Sequence, residues 1–62
     1  MARQYLIEFL KDKDEVYSEY FTGFSELEVR EQADFIAKEL PPTISWDEMK
    51  IINVEDIWLW KN

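Results

Sequence analysis

The chain has no cysteine and no histidine among its 62 residues. Disulfides are excluded. A zinc site would have to be built from carboxylates alone, against that ion's preference for nitrogen and sulfur. A Ser18, Thr22 or Ser25 nucleophile would lack the imidazole base that normally activates it. Gly23 is the only glycine, so no glycine-rich phosphate loop can form. Cations are also scarce, with 7 Lys and Arg against 14 Asp and Glu and a net charge of −7. Such a chain repels DNA, RNA and anionic lipid. No apolar run approaches the roughly 18 residues of a membrane span, and no apolar signal core follows Met1. The lack of cysteine fits a reducing compartment. The expectation is a cytoplasmic chain with no cofactor, no metal, no direct nucleic-acid contact and no membrane contact.

What is present is an acidic coat around many aromatics. Three Trp, three Tyr and four Phe accompany the 14 carboxylates. A disordered acidic tail would be poor in aromatics, so the composition indicates a compact domain. Residues 1–62 are enough for one small domain. A chain of this length buries only about 60% of its unfolded surface, which leaves the monomer marginal. With disulfides and metals excluded, oligomerisation is the remaining source of stability. A net charge of this size is also ordinary for solubility, so the charge alone does not establish a partner.

Alternation predicts a first strand over Arg3–Leu10. Tyr5, Ile7 and Phe9 share one face; Gln4, Leu6, Glu8 and Leu10 share the other. Lys11 to Asp14 is a polar break of undetermined turn type. Glu15 to Thr22 reads as a second strand, forming an antiparallel hairpin with the first. Gly23 then lets the chain turn out of the strand. Ser25-Glu26-Leu27-Glu28 is a capping box, with Phe24 placed to staple onto Val29. The helix should run through Leu40 and stop at Pro41-Pro42. Met49 to Trp60 reads as a last strand, with a bulge or tight turn near Asn53 and Glu55-Asp56. The expected fold is α+β, in the order β-β-α-β, with one helix on a small, mainly antiparallel three-stranded sheet.

Val29, Ala33, Ile36, Ala37 and Leu40 form one helical stripe. Leu27 and Phe35 lie well off it, flanking Glu31. Either the sheet absorbs them, or they form an apolar–acidic–apolar patch for a partner. A single helix covers one sheet face, yet the strands carry apolar residues on both. The second face then suits a homodimer contact, with Tyr20, Trp58 and Trp60 as candidate interface residues. Trp residues also fill cores, and at least one of the three is expected at an interface.

The carboxylate pairs fall in turns and at helix starts, where solvated carboxylates are ordinary, and a chain this small has little room for a catalytic cleft. Asp12-x-Asp14-Glu15 lacks the glycine and the final glutamate of an EF-hand loop. The reading is a non-enzymatic protein-binding module. Its partner would be a basic protein surface or a nucleic-acid-binding protein. The candidate partner-binding residues are Glu19, Glu26, Leu27, Glu28, Glu31, Asp34 and Phe35.

The stretch Tyr17-Ser18-Glu19-Tyr20-Phe21-Thr22-Gly23-Phe24-Ser25-Glu26-Leu27-Glu28-Val29 runs an aromatic acidic strand through glycine into a Ser-capped acidic helix. It resembles the small uracil-DNA glycosylase inhibitors of Bacillus phages, and the likeness covers about half the chain. The three Trp residues and Pro41-Pro42 depart from that pattern. The resemblance implies an acidic β-β-α-β dimer that occupies a DNA-binding groove as a DNA mimic. Two other readings stand beside it. One is a structural or adaptor dimer whose charge serves solubility; the other is an antidote-type regulatory subunit.

Overall fold

A computed structural model of the chain describes residues 2–55. Strand β1 (Arg3–Lys11) and strand β2 (Asp14–Gly23) form a hairpin. Helix α1 (Glu26–Glu39) follows, and strand β3 (Glu48–Asn53) returns along the other edge of β1. The sheet order is β2-β1-β3, with both pairings antiparallel. The fold is therefore α+β in the order β-β-α-β, as the sequence patterning predicts.

The hairpin closes through Asp12 and Lys13, both at positive φ (52° and 72°). Two consecutive left-handed residues are the mark of a type I′ turn, whose twist matches that of the paired strands. This turn usually carries Asn-Gly, so Asp12-Lys13 gave little sequence signal. Asp47 braces the tip: its Oδ2 accepts from the Asp12 amide at 3.4 Å and lies 3.8 Å from Lys11 Nζ. The register slips between Phe9 and Leu10, since Phe9 faces Tyr17 while Leu10 faces Glu15. Val16 is the extra residue of this bulge and stays exposed.

The odd face of β1 makes the core. Tyr5, Ile7 and Phe9 pack against Val29, Ala33 and Ile36 of the helix, each at most 6% exposed. Burying side chains of the size of Ile7, Phe9 or Val29 contributes about 1.5–3 kcal/mol each. Tyr17, Phe21, Met49, Ile51, Ala37, Leu40 and Trp46 pack around this cluster. The Trp46 ring meets Phe9 edge-on, with centroids 5.0 Å apart. Trp46 is thus a half-buried residue that the connector packs against the core.

One local expectation needs correction. Phe24 is 71% exposed, so it does not close over Val29, which is completely buried. The chain leaves β2 at Gly23 as expected, without a positive φ. Glycine serves close approach there: a Cβ would lie 2.9 Å from a Phe21 ring carbon and 3.2 Å from Val29 Cγ2.

The helix boundaries follow local chemistry. Ser25 is the N-cap, its hydroxyl accepting from the Glu28 amide at 3.3 Å. Leu40 ends the helix with an extended backbone (ψ 134°), the conformation that a following proline imposes. The last strand is shorter than its apolar pattern suggests. It ends at Asn53, and Val54 and Glu55 leave the ladder in helical backbone. Asn53 drives this exit, its side-chain oxygen accepting from the Glu55 amide at 2.9 Å. The face assignments of Trp58 and Trp60 lie outside the described residues.

Candidate functional site

The helix sorts its side chains by angle. At about 100° per residue, Val29, Ala33 and Ile36 point at the sheet. Leu27, Glu31 and Asp34 point away, and Gln32, Phe35 and Glu39 lie on the flank above β2. Leu27 is 68% exposed and Phe35 59% exposed. Among the described residues the sheet is three strands wide, and it covers neither side chain. Leu27, Glu31 and Phe35 step up the helix at intervals of four, which places neighbours within side-chain reach. The apolar–acidic–apolar row therefore winds from the outward face at Leu27 and Glu31 to the β2 flank at Phe35, with Asp34 and Lys38 also outward.

A groove of about 420 Å³ opens along the β2 flank. Tyr17 and Glu19 come from the strand, Phe35, Ile36, Glu39 and Leu40 from the helix, and Pro41 and Ile44 from the connector. Pro41 accepts from the Ile44 amide at 2.9 Å, and this turn folds the connector back over the helix end. The Tyr17 hydroxyl donates to Glu19 Oε2 at 2.8 Å. That hydrogen bond, helped by desolvation and the Glu19 charge, raises the Tyr17 phenol above its ordinary value.

The candidate residues do not all share one surface. Glu19 and Phe35 meet in the groove, while Leu27, Glu31 and Asp34 occupy the outward helix face beside it. Glu28 lies in the first turn, with its amide held by Ser25. Glu26 stands on the opposite flank, where it lines a smaller cleft with Arg30, Met49 and Ile51. The acidic residues therefore wrap the helix. Sequence reasoning missed Gln32, Glu39, Leu40, Pro41 and Ile44 as groove residues. For Glu39 a signal existed, since it sits one turn from Phe35 on the same flank. The fold-back of the connector had none.

Tyr20 lies on the sheet face away from the helix and is 61% exposed. The register sets it opposite Leu6, and Leu6 opposite Ile52, so an apolar row crosses all three strands. Glu8 is on the same face, across from Lys50. Burial raises the Glu8 carboxyl above its ordinary 4.5, and a side-chain hydrogen bond and repulsion from Glu15 add to this, with Lys50 opposing.

Among the described residues, no group of three or more His, Cys, Asp or Glu side chains is placed to hold a metal ion. No helix there is long and apolar enough to cross a membrane. Comparison with protein-family models, curated proteins and solved structures returned no match.

Proposed function

We propose that this chain is a non-enzymatic protein-binding module that blocks the basic nucleic-acid groove of a DNA-handling protein. The observation that carries this reading is the row along the helix, with Leu27 and Phe35 exposed around Glu31. Two large apolar side chains one turn either side of a carboxylate make a mixed apolar and acidic surface. Large apolar groups in a charged surround are what protein interfaces use as anchors. The carboxylates Glu31 and Asp34 would stand where the groove expects phosphates, so that the partner's own field draws the chain in. The resemblance of Tyr17–Val29 to phage inhibitors makes a uracil-DNA glycosylase the first enzyme to test. Titrating the chain into uracil excision from duplex DNA should give inhibition that competes with DNA and weakens as salt rises. An adaptor contact made by apolar groups alone would be nearly indifferent to salt.

The same reading includes a homodimer through the face away from the helix, supported by the Tyr20–Leu6–Ile52 row. Sedimentation at high micromolar concentration should give twice the 7.6 kDa chain mass. A sharp 7.6 kDa species there would remove the dimer and leave Tyr20 as a second free surface.

A further inference from the structure

The groove on the β2 flank has a composition that narrows what can enter it. Its floor is apolar, made by Tyr17, Ile36, Leu40 and Ile44 with Phe35 as one wall. Its volume of about 420 Å³ lies at the small end of ligand clefts, room for one or two large side chains. Its two charged lining residues, Glu19 and Glu39, are both carboxylates, and no Lys or Arg lines it. Glu19 is held in place by the Tyr17 hydroxyl at 2.8 Å. A carboxylate offers about four acceptor sites, so this bond fixes Glu19 without exhausting it. An acceptor with free sites beside an apolar floor suits a donor that arrives with an apolar group.

We infer that this groove receives a large apolar side chain of the partner with a Lys or Arg next to it in sequence, the cation pairing with Glu19 and Glu39. The inference rests on the partner being a basic protein, as proposed above, and adds the segment of it that is gripped. An anionic or purely polar segment would fail on charge or on the dry floor. A free amine without an apolar neighbour would leave that floor in water. The site is separate from Glu31 and Asp34, which lie on the outward face of the helix.

Three capped tetrapeptides test it: Arg-Ile-Leu-Arg, Glu-Ile-Leu-Glu and Arg-Ser-Ser-Arg, each titrated into the ¹⁵N-labelled full chain. The expected result is saturable amide shifts at Tyr17, Glu19, Phe35, Glu39 and Ile44 with the first peptide alone. Phe35→Ala should weaken that binding at least tenfold, and a Glu19→Gln/Glu39→Gln variant should lose the preference for the basic over the acidic peptide. The Glu31→Lys/Asp34→Lys variant should still bind the first peptide. No groove shifts with the first peptide, or equal shifts with all three, would overturn the assignment. Groove shifts that follow protein concentration with no peptide present would also overturn it, giving the groove to a second copy of the chain. Peptide failure alongside intact enzyme inhibition would sink this inference alone. Groove binding without any inhibition would sink the groove-blocking function alone.

Discussion

The two flanks of the helix rest on the same core and differ in what they leave open. Over β3, Glu26 and Arg30 stand with Met49 and Ile51 around a cleft of about 140 Å³. Over β2, Glu19 and Glu39 border a groove of about 420 Å³ whose charged lining is wholly anionic. One flank has a cation among its lining residues and the other has none. Burial does not cause this asymmetry, because the stripe of Val29, Ala33 and Ile36 is shared by both. It comes from the wheel position of a few side chains: Arg30 falls toward β3, while Phe35 and Glu39 fall toward β2. A uniformly acidic chain can thus present a directional surface, which net charge alone would not disclose.

The largest test of this contrast is to remove its common support. Phe9 lies under both flanks, with Tyr17 opposite on one side and Met49 on the other, and its ring meets Trp46. Phe9→Ala should cost about 3–5 kcal/mol, enough to unfold a chain of this size at ambient temperature. Circular dichroism melts would show this, and a cooperative transition near the wild-type midpoint would mean the two flanks stand independently. Ser25→Ala acts on both flanks alike by loosening the helix start, and should cost about 1 kcal/mol in denaturant unfolding. An unchanged midpoint would place the start of the helix elsewhere.

The smallest expected effect lies on the face that neither flank touches. The raised Glu8 carboxyl means that the fold favours its protonated form. That contribution is full below the unfolded pKa and is lost as pH rises through the raised folded value. Glu8→Gln should therefore be slightly more stable than wild type at pH 7, with the gap closing as pH falls toward about 4. Inhibition should be unaffected, since Glu8 is on the far side of the sheet. A gap that widens in acid would reverse the direction assigned to the Glu8 carboxyl, which burial raises first and Glu15 second.

Much of the architecture was legible in the residues. Alternation in Tyr5-Leu6-Ile7-Glu8-Phe9 sorted the strand into two faces without saying which one the helix covers, and Ser25 and Pro41 gave the helix ends. The off-stripe positions of Leu27 and Phe35 left open whether the sheet absorbs them, and only their exposure of 68% and 59% decides it. The rest depended on contacts that are distant in sequence. The type I′ turn at Asp12-Lys13 is held by its twist and by Asp47 rather than by glycine. The interruption near Asn53 was readable, but its form, a helical exit with the Glu55 amide donating to the Asn53 side chain, was not. The groove requires the connector to fold back over Leu40, and neither propensity nor periodicity carries that information. Trp46 illustrates the same limit: its residue type suits an interface or a core, and only the structure shows that it packs against Phe9.

The most direct measurement compares wild type with the Glu31→Lys/Asp34→Lys variant as inhibitors of uracil excision from duplex DNA at low salt. The substitutions take the net charge from −7 to −3, two units for each reversal. Both side chains point away from the core, so the variant should keep its melting temperature within a few degrees. The account predicts wild-type inhibition that is competitive with DNA, and a loss of affinity in the variant of about 2 kcal/mol or more, roughly thirtyfold. Equal inhibition by the two folded proteins, or no competition with DNA by wild type, would contradict it.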